Sequence, residues 1–94
     1  MLESNRLTHL SLYANKLGKE GASGLLRGLS TGNTALVSLD LSRNMIGEVN
    51  WTQLNQVPNL TWLFLSGNHI DQGFNQLAAL LASPSCSIAF LHID

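Results

Sequence analysis

The sequence contains a single cysteine, Cys86, in 94 residues. No disulfide can close within it, so the fold cannot depend on cross-links, and a reducing, cytoplasmic setting is expected. Charge is equally scarce, with 12% charged residues and a net charge of −1. There is no basic patch to hold a phosphate backbone or an anionic bilayer, so neither nucleic acid nor a membrane is expected as a partner. No apolar run approaches the length of a membrane span. Met1-Leu2-Glu3 opens directly onto patterned sequence, so no secretory leader is expected. Two sequons, Asn50-Trp51-Thr52 and Asn59-Leu60-Thr61, match roughly what chance supplies at this Asn, Ser and Thr content, and they carry no weight.

What the chain does have is leucine at fixed intervals. Leu36, Leu39, Leu41, Asn44 and Ile46 fall on the first, fourth, sixth, ninth and eleventh places of one pattern. Leu7, Leu10, Leu12, Asn15 and Leu17 repeat it, as do Leu60, Leu63, Leu65, Asn68 and Ile70. Ile88, Leu91 and Ile93 start another copy. Within each copy, leucines alternate with polar or aromatic residues, which predicts a short strand with one buried face. Such a strand cannot bury its leucines alone, so neighbouring copies must stack. The chain turns inward after each strand, and an asparagine, with both a donor and an acceptor, can satisfy the backbone groups left there. Asn15, Asn44 and Asn68 are therefore expected to form a buried ladder.

Between strands the period changes. Gly18-Lys19-Glu20-Gly21 breaks the pattern, and Ala22, Leu25, Leu26 and Leu29 then mark one face of a helix. Ser30-Thr31-Gly32-Asn33 ends it. The stretch 49–58 has Trp51, Leu54 and Val57 at threefold spacing, and Pro58 disfavours helix at Val57, so a short helical turn is expected. Phe74, Leu77, Ala78 and Leu81 predict a second helical face, with Asp71 as N-cap and Pro84 as stop. Asn5 stands before Leu7 much as Asn33 stands before Leu36.

The pattern is that of leucine-rich repeats. Repeat lengths of 29 and 28 residues, from Leu7 to Leu36 and from Leu60 to Ile88, resemble the ribonuclease-inhibitor-like subfamily. So do the run Asn15-x-Leu17-Gly18-x-x-Gly21-Ala22 and the run from Leu80 to Leu91. The middle repeat, Leu36 to Leu60, is shorter at 24 residues and departs from it. The resemblance implies an α/β fold: a right-handed solenoid in a short horseshoe arc, with parallel strands on the concave face and helices on the convex face. Residues 1–94 are read as a single repeat domain. Neither end carries a polar cap, so self-association through the ends, or membership of a longer array, is expected.

Catalytic chemistry is not supported, and no enzyme is expected. Gly18-Lys19 lacks the P-loop context, because Glu20 follows the lysine. His9 and His92 sit three strands apart, roughly 14 Å, too far to share a metal. Cys86 has no histidine base near it in sequence and reads as a small core residue. No cofactor is expected.

Function should therefore lie on the face opposite the leucines. Its third places are His9, Ser38, Trp62 and Phe90; its fifth are Ser11, Asp40, Phe64 and His92; its seventh are Tyr13, Ser42, Ser66 and Asp94. The first repeats are mostly polar there, and the later ones are aromatic. Large aromatics facing water on adjacent strands suggest a covered surface. The candidate protein-binding residues are Tyr13, Asp40, Arg43, Trp62, Phe64, Phe90, His92 and Asp94, with a protein or peptide partner. The subfamily also implies alternatives: a GTPase regulator of the Ran type, a fragment of an innate-immune-type sensor, or a truncated fragment with no separate function. A Ran-type activator would carry an acidic tail after its repeats, and Arg43 alone is too little for GTPase chemistry.

Overall fold

The computed structural model describes residues 7–32, 35–70 and 74–93. Asn5, Asn33, the expected N-cap Asp71 and the rim candidate Asp94 lie outside these residues. Four strands, β1 (His9–Ser11), β2 (Ser38–Asp40), β3 (Trp62–Phe64) and β4 (Phe90–His92), form one parallel sheet in chain order. Helix α1 (Gly18–Gly32) follows β1, a 3-10 segment (Trp51–Gln56) follows β2, and helix α2 (Phe74–Ala82) follows β3.

The register aligns equivalent places of the repeat. Leu10, Leu39, Leu63 and Leu91 are Cα partners across the sheet. Pairing continues past the short strands in the same way each time. Leu12 N–H donates to the Asp40 carbonyl at 2.9 Å, Leu41 N–H to Phe64 at 2.9 Å, and Leu65 N–H to His92 at 2.8 Å. Three residues of strand per repeat thus carry a longer ladder, which satisfies backbone groups that burial would otherwise leave unpaired.

The leucine face packs against the helical layer. Leu39, Leu41, Leu63 and Leu65 are fully buried together with Ala22, Leu26 and Leu29 of α1 and Leu77 and Leu80 of α2. The 3-10 segment lies between the two helices and contacts both. Its threefold spacing matches the three residues per turn of that helix, and Trp51, Leu54 and Val57 are all buried. Asn50 caps it, with its side-chain oxygen accepting from the Thr52 N–H at 3.2 Å and from the Thr52 hydroxyl. The sequon asparagine thus has a local role.

The structure corrects the expected helices in two places. Helix α1 starts at Gly18 rather than after Gly21. Gly18 has φ +67°, a left-handed turn that glycine makes without steric cost, and its N–H is held by the Asn44 carbonyl at 2.8 Å. Gly21 already closes a helical bond to Leu17. In α2 the expected face is rotated. Leu77 and Leu80 are buried, whereas Phe74 is 54% and Leu81 43% exposed, and Ala78 is exposed as well. Every residue from Leu77 to Ala82 is apolar. Periodicity therefore cannot choose a face, and packing on the 3-10 segment makes the choice.

The aromatic strand face

The geometry of the outer face begins at the turn after each strand. Ala14 and Lys16 flank Asn15 with φ of 58° and 55°, and Arg43 and Met45 flank Asn44, both at 58°. Gly67, at +72°, precedes Asn68. This run of left-handed residues curls the backbone around the asparagine. Asn44 is fully buried. Its amide nitrogen donates to the carbonyls of Leu12 at 2.7 Å, Leu41 at 3.0 Å and Ser42 at 3.1 Å. Its side-chain oxygen accepts from the N–H groups of Asn15 at 2.9 Å and Leu17 at 3.2 Å. Asn68 repeats this one copy later, donating to Leu41 and Leu65 and accepting from the N–H groups of Asn44 and Ile46. Both of these asparagine side chains reach back to the preceding repeat. Asn15 differs from the expected buried ladder: it is exposed, and among the described residues its amide donates to the Tyr13 carbonyl at 3.2 Å and to no preceding repeat. Among the described residues, no earlier repeat offers it backbone to satisfy.

The same register fixes the outward columns. His9, Ser38, Trp62 and Phe90 are Cα partners, as are Ser11, Asp40, Phe64 and His92. Trp62 and Phe90 stack with ring centroids 4.0 Å apart and planes 10° apart. Trp62 and Phe64, two residues apart on β3, lie 6.4 Å apart at 11°. His92 meets Phe64 edge-on at 6.3 Å and 65°. Trp62 remains 40% exposed and Phe90 51% exposed. Together with Ala89 and Leu91 these residues line an open recess of about 380 Å³. Ser66 hydrogen-bonds the His92 ring through Nδ1 at 2.8 Å and fixes its orientation. Ser66 was not among the candidates, although it shares the outward column with them and lies one strand away from His92.

The remaining candidates are dispersed. Tyr13 stands 52% exposed at the far end of the sheet, away from the aromatic cluster. Arg43 lies on the turn, where its stem packs over Gly67: a Cβ added at Gly67 would sit 2.9 Å from the Arg43 Cγ. Asp40 is half-buried, and one carboxylate oxygen accepts from the Ser42 N–H at 2.9 Å. Ser42, expected to face outward, is buried at 5% exposure. Its carbonyl accepts from Ala14 N–H, and the next residue, Arg43, donates to Ser66, so turns on both sides enclose it. Among the described residues, no three His, Cys, Asp or Glu side chains converge to hold a metal ion, and no helix is long and apolar enough to cross a membrane.

A parallel sheet of identical registers, asparagine-linked turns and a helical backing layer define a stacked-repeat protein of the α/β type. Residues 6–70 match the family described as leucine rich repeat, and the chain belongs to that family. Repeats of this family generally mediate protein–protein interaction and are typically not enzymes. The chain is similar to human NACHT, LRR and PYD domains-containing protein 7, with 32% identity over 97 aligned residues that cover 99% of this chain. It spans 10% of that protein's length. No solved structure matches it.

Proposed function

We propose that this chain is a protein-interaction module that binds a protein or peptide through the outward strand face, centred on Trp62, Phe64, Phe90 and His92. One observation carries the reading. Two large aromatics, Trp62 and Phe90, stack at 4.0 Å on adjacent strands and still leave much of their surface in water. Exposed aromatics already ordered by their neighbours lose little side-chain entropy on binding, and such residues concentrate interface energy. The repeat spacing and parallel register support a ribonuclease-inhibitor-like arc with this face concave. In this reading the module has no catalytic activity, binds neither nucleic acid nor membrane, and works in the cytoplasm. In the same reading Asp40, Arg43 and Asp94 would supply a charged rim, and Tyr13 would widen the apolar surface.

The test is capture of a partner by the wild-type chain, followed by measurement with variants. Trp62→Ala is expected to weaken the captured partner about tenfold or more. Ser38→Ala and the helix-face control Gln76→Ala should change affinity little. Equal capture by a folded Trp62→Ala, Phe90→Ala double variant would overturn the reading.

A second reading concerns context. The similarity to a protein whose name records NACHT, LRR and PYD domains, over nearly the whole of this chain but a small part of that protein, supports the chain as one segment of a longer repeat array. The flanking transcript sequence tests this directly.

A further inference from the structure

We infer that the partner of the outward face presents an arginine, which lies flat on the Trp62 and Phe64 rings and pairs with the Asp40 carboxylate. The inference rests on the interaction-module reading above and deepens it.

The rings of Trp62 and Phe64 project from consecutive outward places of β3, 6.4 Å apart with planes within 11° of each other, so they present nearly parallel faces. Phe90 covers the Trp62 face on the β4 side at 4.0 Å. Trp62 stays 40% exposed, and with Phe90 on its β4 side we take its edge and the face toward β2 as the surface left open. Toward β2 the register places Ser38 opposite Trp62 and Asp40 opposite Phe64. Serine is too small to cover an indole, so a slot on this side would be floored by Ser38, walled by the aromatic rings and ended by the Asp40 carboxylate, next to the recess that Trp62 and Phe64 line with β4.

The chemistry of that slot selects a planar cation. An aromatic face carries negative potential and attracts cations, and guanidinium stacks on it better than a compact ammonium. Among the described residues of the outward columns, Asp40 is the only Asp, Glu, Lys or Arg. Its carboxylate takes one side-chain-directed bond, from Ser42 N–H, which leaves lone pairs for a forked guanidinium contact. Arg43 does not fill the slot with its stem, which is held over Gly67 on the turn.

The test uses the whole chain and a capped pentapeptide, Gly-Ser-Arg-Ser-Gly, against the same peptide with citrulline, which keeps the shape and removes the charge. Binding is read by NMR from the ring resonances of Trp62, with the buried Trp51 as internal reference. The arginine peptide is expected to shift Trp62 and leave Trp51 unmoved, and to bind at least about fivefold tighter than the citrulline peptide. Asp40→Asn, which keeps an acceptor for Ser42 N–H, should abolish that preference. Equal binding of the two peptides, a preference that survives Asp40→Asn, or no shift of Trp62 up to the solubility limit would each overturn the inference. The wild-type comparison of peptides needs no variant to fold. Loss of a captured partner in the aromatic double variant, with no effect of Asp40→Asn, would leave the interaction module standing and remove the arginine.

Discussion

The two faces of the sheet obey different rules. On the buried side the repeats agree: a leucine column runs through all four strands, and a left-handed step with a turn asparagine recurs at Asn15, Asn44 and Asn68, the last two with matching hydrogen bonds to the preceding repeat. On the outward side the repeats diverge, from His9 and Ser11 at one end to Trp62, Phe64, Phe90 and His92 at the other. Repetition marks what stacking requires, since each copy must bury its neighbour's apolar face. Departure from repetition marks places where stacking imposes nothing. A cluster of stacked aromatics at such places calls for another explanation, and binding is the one proposed here.

The sharpest way to break this contrast is at Asn44. Asn44→Ala strands the N–H groups of Asn15 and Leu17 and the carbonyl of Leu12, while the Leu41 and Ser42 carbonyls keep their bonds from the Asn68 amide and the Ala14 N–H. At about 1–3 kcal/mol for each buried group left unpaired, a loss of about 3 kcal/mol or more is expected in urea unfolding. Asn15→Ala removes an exposed side chain whose amide bonds the Tyr13 carbonyl, and should cost about 0.5 kcal/mol or less. Equal losses at the two positions would remove the distinction between a buried rung and an end rung.

Core truncation comes next. Leu63→Ala deletes a fully buried side chain and is expected to cost about 2–5 kcal/mol by the same measurement. The outward neighbour Trp62→Ala should lose its ring contacts with Phe90 and Phe64 and the burial that goes with them, about 1–2 kcal/mol. A larger loss at Trp62 than at Leu63 would mean that the aromatic cluster stabilises the fold more than it serves a partner.

Gly67→Ala tests the turn. It places an alanine at φ +72° with its Cβ 2.9 Å from Arg43 Cγ, and about 1–2 kcal/mol of destabilisation is expected. Arg43→Ala in the same chain should recover the steric part and leave the backbone part, a coupling that a double-mutant cycle reads directly. Additive effects would show that the arginine stem does not press on the glycine. The smallest effect is expected at Phe74→Ser, on the exposed side of α2, within about 0.5 kcal/mol. A loss above about 2 kcal/mol there would restore the helix face that the spacing first suggested.

Much of this was legible before any coordinates. The repeat spacing named the strands, their stacking order and the columns they share, because the alternation of strand side chains has a fixed period and stacking forces equivalent places into register. That is why His9, Ser38, Trp62 and Phe90 could be placed in one row from the chain alone. The threefold spacing of Trp51, Leu54 and Val57 likewise announced a short helical segment, because three residues per turn is its geometry. Tertiary structure decided the rest. The uniform apolarity of 77–82 left the buried face of α2 open until the neighbouring segment was packed against it. The asparagines share one place in the pattern, yet only Asn44 is fully enclosed, since its turn is flanked by the turns after β1 and β3. Ser42 reads as an outward residue and is covered by flanking turns. The ring planes of Trp62, Phe64 and Phe90 were set by contact between side chains. A strand pattern tells which way each side chain leaves the backbone, but neighbours determine how it then lies.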